Sequence, residues 1–218
     1  MGKITIKTLF KKDSILVLLK IFIPGFLFFG LMALYSFLND FHFNDLTEDP
    51  IQTMHAPPYI GLIARADVVL MCFAAAILLF AARISGFLKK SKEQTGFLLF
   101  SGLLSLWLMC DDFFMFHDWV FRDIIPVNEN IIFLVYGLSA IALLYFYRNL
   151  ILKTDYILLL LGMGLMGASE LIDAAIAKEW FSWTYQAVLE DGAKFFGMVF
   201  WMAYYIITAS DFLKPAKE

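Results

Sequence analysis

Charge is scarce in this sequence: Asp, Glu, Lys and Arg make up 17% of its 218 residues, against about 25% in soluble domains. With 61% apolar residues, there is too little polar surface to coat a water-soluble globule of this size, so the chain is an integral membrane protein. Cysteine is nearly absent. Cys72 and Cys110 both sit inside apolar runs, which excludes a disulfide framework. Histidine is equally rare, with three residues and no HExxH, no repeated ExxH pair and no histidine box, so the motif-defined metalloenzymes are set aside. Basic residues number 17 against 20 acidic ones, a net charge of −3 with no basic stripe, and nucleic acid is excluded as a partner. There is no tandem repeat and no low-complexity linker, which predicts a single membrane domain over residues 1–218.

What the sequence does have is apolar length. Six runs reach or approach the roughly 20 residues a spanning helix requires: about 15–38, 59–82, 97–116, 131–147, 156–177 and 187–212. The first resembles a signal peptide in its Lys3, Lys7, Lys11 and Lys12 cluster, but it runs on to Leu38 without a small-residue cleavage site. It is therefore expected to be a retained helix, bent near Pro24-Gly25. Positive charge alternates between connections: Lys3 to Lys12, Arg83 to Lys92, Arg148 with Lys153, and Lys214 with Lys217 hold most of the basic residues. The intervening loops hold only Arg122 and Lys178, alongside acids and the belt tryptophans Trp119, Trp180 and Trp183. The pattern predicts an all-α, six-span, polytopic bundle in the plasma (inner) membrane with both termini cytoplasmic.

Ionisable residues inside these runs ask for a reason, because each costs at least about 2.5–3.5 kcal/mol at a span centre. They cluster at one depth. Counting about 1.5 Å per residue from the cytoplasmic ends puts Asp111 of the third run and Glu170 of the fifth both about 21 Å out, Arg65 and Asp67 of the second about 24–27 Å, and Lys194 of the sixth about 27 Å. Asp112, His117 and Asp118 continue the third run, Asp173 lies a turn beyond Glu170, and Glu190 and Asp191 a turn beyond Lys194. Asp111 and Asp118, seven apart, and Glu190 and Lys194, four apart, would share helix faces. Converging stripes predict a water-accessible, net acidic cavity opening outward, with Arg65 and Lys194 as internal counter-ions and Asp67, Glu190 and Asp191 as further ion-pair or cavity residues.

Three chemistries suit such a cavity. A divalent metal ion is the candidate cofactor, with Asp112, His117, Asp118, Glu170 and Asp173 as ligands and the loop residues His42 and His55 as weaker additions. A proton relay would use the same groups without metal. In a catalytic site His117 and Asp112 would hold metal or act as acid and base, Asp111 and Glu170 would complete the shell, and Lys194 would stabilise developing negative charge. The leading expectation is an intramembrane enzyme acting on a lipid or other apolar substrate. A proton or cation transporter and a non-catalytic accessory or sensor protein are the alternatives. Membrane lipids are the expected partners, with a homo-oligomer or a membrane-protein complex as the further partner class. Gly162-Met163-Gly164-Leu165-Met166-Gly167 spells GxGxxG mid-span with no preceding strand, so it predicts close helix packing beside Glu170 and no dinucleotide site.

The Asp111-Asp112 pair followed by His117-Asp118, together with Glu190-Asp191-Gly192-Ala193-Lys194, resembles the motifs of uncharacterised bacterial six-span membrane proteins. That resemblance covers most of the chain; it supports the choice of residues and implies no particular reaction. The stretch Glu190 to Gly197 also resembles the last helix of microbial rhodopsins over about eight residues, where an acid precedes a retinal-bearing lysine. Six spans instead of seven, and no aromatic pocket signature one helix earlier, argue against retinal here.

Overall fold

The structure, a computed structural model, describes residues 12–40, 42–47, 49–116, 120, 129–177 and 186–215. Every regular element among them is helical, with no strand. The chain divides into two compact units, Met1–Ile60 and Gly61–Glu218.

In the first unit, α1 (Lys12–Leu38) is one helix that contains Pro24. Its stretch Phe22–Leu38 is apolar and leaves Phe22, Phe26, Phe29 and Phe37 exposed. Two short helical turns follow, Phe43–Leu46 and Pro50–Thr53. The second is capped by Asp49, whose carboxylate accepts hydrogen bonds from the amides of Ile51 at 2.8 Å and Gln52 at 3.2 Å, relieving two of the orphan donors at a helix start. His42 and His55 are exposed residues of this unit.

The second unit contains α2 (Leu62–Phe87), α3 (Lys92–Phe114), α4 (Glu129–Phe146), α5 (Tyr156–Ala177) and α6 (Gln186–Leu213), with a short turn Arg148–Ile151 between α4 and α5. Four segments, Leu62–Phe87, Lys92–Phe114, Tyr156–Ile176 and Gln186–Leu213, are long and apolar enough to cross a membrane. At 1.5 Å per residue α2 measures about 39 Å against a hydrocarbon core of about 30 Å, whereas the apolar part of α4, Ile131–Phe146, reaches only about 24 Å. Large apolar side chains such as Phe73, Phe80, Leu103, Ile141, Ile157 and Leu171 point outward. Water would not tolerate that many, and lipid does.

Small residues decide which helices touch. Ala74, Ala75, Ala81 and Ala82 form a buried stripe on α2, and α2 packs on both α3 and α6. The α5–α6 seam is closer still: a Cβ on Gly197 would lie 2.7 Å from Met166 Cγ and 2.9 Å from the Met166 backbone nitrogen, and one on Gly162 would lie 3.0 Å from the Trp201 nitrogen. Glycine is the residue that lets two spanning helices approach to this distance. Gly164 and Gly167 have open space where a Cβ would go, so only the first glycine of the GxGxxG run serves the packing that was expected of the whole run. The core assembled by these seams includes Met71, Leu78, Phe97, Leu98, Leu143, Leu159, Trp201, Tyr204 and Tyr205.

Interhelical hydrogen bonds add specificity where lipid offers no hydrophobic drive. Ser85 Oγ and Thr95 Oγ1 are 2.8 Å apart, and Thr154 Oγ1 and the Tyr204 hydroxyl 2.9 Å apart. The helices follow one another in the order α5, α6, α2, α3, with α4 resting more lightly on α3. Between α4 and α5 there is no comparable seam among the described residues.

Candidate functional site

Asp111 and Asp112 occupy the last turn of α3, where unpaired carbonyls already make the helix end negative. No basic residue of α3 offsets them in that turn. The helix ends at Phe114, with Met115 in the left-handed region at φ 52°. The shared face expected for Asp111 and Asp118 falls on a residue outside those described. His117 and Asp118 lie outside the described residues.

The compensating cation comes from α6. Lys194 Nζ donates to Asp112 Oδ1 at 2.9 Å, and the two side chains are 29% and 17% exposed. Of the two partners expected for it, Glu190 one turn away or a group on a neighbouring helix, the hydrogen bond goes to the neighbouring helix. Lys194 is also within electrostatic reach of Glu170 on α5 and Asp67 on α2. Asp67 is 3% exposed, and its Oδ1 has no hydrogen-bond partner. Asp111 is equally buried at 3% and lies beside the Tyr136 hydroxyl of α4.

These groups surround a cavity of about 300 Å³ lined from all five helices of the unit. Asp111, Asp112, Glu170, Lys194 and Tyr136 lie toward one end, and Met71, Leu104, Met163, Met166, Met198 and Trp201 continue toward the other. At the inner end the Trp201 indole N–H donates to Ser105 Oγ at 2.9 Å, and Ser105 Oγ donates to the Ser101 carbonyl at 2.8 Å. Beyond it, the hydroxyls of Ser101, Tyr205 and Thr208 are buried without a hydrogen-bond partner.

Of the residues singled out in the sequence, the structure brings Asp111, Asp112, Glu170 and Lys194 to one cavity wall. Asp67 stands behind the ion pair, outside the lining. Arg65 does not line the cavity; it is exposed and its Nε donates to the Gly61 carbonyl at 3.4 Å. Asp173, Glu190 and Asp191 are also outside the lining. Their mutual electrostatic reach, and that of Glu190 to Lys194, makes them a neighbouring acidic group. Among the described residues no three His, Cys, Asp or Glu side chains are gathered to hold a metal. Of the expected ligands Asp112 faces the Lys194 ammonium, and His117 and Asp118 are outside the described residues.

Sequence reasoning missed Tyr136, Trp201 and the methionines of the inner cavity. Trp201 carried a usable signal: a tryptophan far from either end of an apolar run must find an acceptor for its N–H, and Ser101 and Ser105, four apart on α3, offered one.

The matching family model covers residues 17–208 and is described as a domain of unknown function, DUF8692. The chain belongs to this family. The matched region includes α2 to α5 entire and all but the last turn of α6, so every cavity-lining residue falls within the DUF8692 domain. No curated protein and no solved structure matches the chain.

Proposed function

We propose that this chain is a six-span membrane protein with both termini cytoplasmic, whose outer-leaflet cavity binds a lipid or other apolar substrate and performs acid–base chemistry on it. The observation that carries this reading is one cavity with three carboxylates and an ammonium at one end and an apolar continuation at the other. In a site of low dielectric, crowded carboxylates do not all stay ionised, which leaves one as an acid and another as a base. Asp111 and Glu170 take those roles. Lys194, held by Asp112, meets negative charge as it develops on the substrate. His117, three residues after the end of α3 in sequence, remains a candidate acid–base group.

The test is substrate consumption. Protein reconstituted in native lipid extract is followed by lipid mass spectrometry, and Asp111→Asn and Glu170→Gln should each lower turnover by about 10²-fold or more, the usual size of an acid–base contribution. Turnover unchanged in both variants would reject the assignment. For topology, reporter fusions after Lys92 and Lys153 should read cytoplasmic, and a fusion after Pro126 should read external; the reverse result at Pro126 would reject six spans.

Proton transport is the second reading, favoured by the partnerless buried hydroxyls of Ser101, Tyr205 and Thr208, which lead away from the cavity through the other half of the helices. Acidification of proteoliposomes driven by a membrane potential, and lost in Tyr205→Phe, would establish it over the enzymatic one.

A further inference from the structure

The cavity's dimensions and polarity narrow its occupant, and this step rests on the reading of it as a binding site for an apolar molecule. Its volume of about 300 Å³ is at the low end for ligand pockets, which favours one slender chain over the two of a membrane phospholipid.

The polarity runs along the helices. On α5, Glu170 stands four residues from Met166 and seven from Met163; on α6, Lys194 stands four residues from Met198 and seven from Trp201. Both antiparallel helices thus place apolar lining about 6 and 10 Å inward from the ionisable layer. Methionine, unbranched and polarisable, accommodates a flexible chain better than branched side chains do.

The ionisable end selects the head group by sign. Three carboxylates, Asp111, Asp112 and Glu170, and one ammonium, Lys194, line the cavity, so it stays net acidic even with one carboxyl protonated. Lys194 is engaged with Asp112. The Tyr136 hydroxyl lies beside Asp111 and Trp107 and lines the same cavity. An anionic head would add to the negative charge, whereas an ammonium head reduces it and donates to the carboxylates. Among the described residues α4 and α5 share no packed seam, and the occupant would enter there.

We infer that the cavity takes a single-chain amphiphile with an ammonium head at Asp111, Glu170 and Tyr136 and its chain laid inward to Trp201.

The test uses the full chain in detergent micelles and three ten-carbon probes brominated at the chain end: an alkylamine, the matching alcohol and the matching carboxylate. Bromine quenches indole fluorescence at contact, so bound amine should quench saturably through Trp201, and the signal should fall in Trp201→Phe. Because that variant also loses the Ser105 hydrogen bond, Ala140→Leu, which fills the cavity from α4, serves as the second control and should abolish saturable quenching. The amine should bind at least tenfold more tightly than either alternative, and Glu170→Gln should shrink that preference. Saturable quenching of equal strength with all three heads, or stronger with the carboxylate, overturns the ammonium assignment while the apolar-ligand reading stands. Absence of saturable quenching with every probe overturns both.

Discussion

Gly197→Ala should destabilise the protein by about 1–3 kcal/mol, the cost of forcing atoms into a packed interface, and Gly197→Val should prevent accumulation of folded protein. The added Cβ would sit 2.7 Å from Met166 Cγ and 2.9 Å from the Met166 nitrogen. The side-chain clash can be relieved by a rotamer change, but the backbone one cannot. Gly164→Ala is the internal control: nothing lies within 4 Å of its Cβ position, and exchange of glycine for alanine in a helix is favourable by up to about 1 kcal/mol. Unfolding in a denaturing detergent, followed by circular dichroism, separates the two. Equal stability of Gly197→Ala and Gly164→Ala would disprove the close α5–α6 contact.

The second large effect belongs to the ion pair. Lys194→Met leaves Asp112 at the negative end of α3 without its cation, and Asp111 beside it. Loss of one partner from a fully buried pair costs about 3–5 kcal/mol; with the side chains 29% and 17% exposed, a loss of about 1–3 kcal/mol is expected here. The double variant Lys194→Met with Asp112→Leu should recover part of that loss, since an apolar replacement of both partners removes the stranded charge. Lys153→Met, at an exposed turn, should be neutral. A Lys194→Met protein as stable as Lys153→Met would place the lysine in contact with water and headgroups instead of Asp112.

The helices were legible because apolar length has only one use in a chain this poor in charge. Their ends were less so. Hydropathy stops at Arg83, yet α2 continues to Phe87, and α3 begins at Lys92, five residues before the apolar run at 97. Hydrogen bonding carries a helix past the hydrocarbon into polar residues, and Ser91, accepting from the Gln94 amide at 3.1 Å, caps α3 there. The ionisable residues of the site were legible for a different reason: Asp111, Glu170 and Lys194 each pay an insertion cost that marks them. The choice of Asp112 over Glu190 as partner of Lys194 was not legible, because periodicity describes one helix and this pair joins two. Met163, Met166 and Met198 were invisible for the opposite reason to the charges. An apolar residue facing a cavity costs nothing that distinguishes it from one facing lipid.

The α5–α6 seam also gears the two halves of the ionisable layer together. α5 lies along α6 through a seam that closes at Gly162, Met166 and Gly197, and Glu170 stands about 6–12 Å beyond that contact. The ion pair is carried by α6 and α3, and Glu170 is within electrostatic reach of Lys194. A shift of α5 against α6 would therefore be felt by the ion pair, so the Glu170 wall and the paired one are parts of a single gear train.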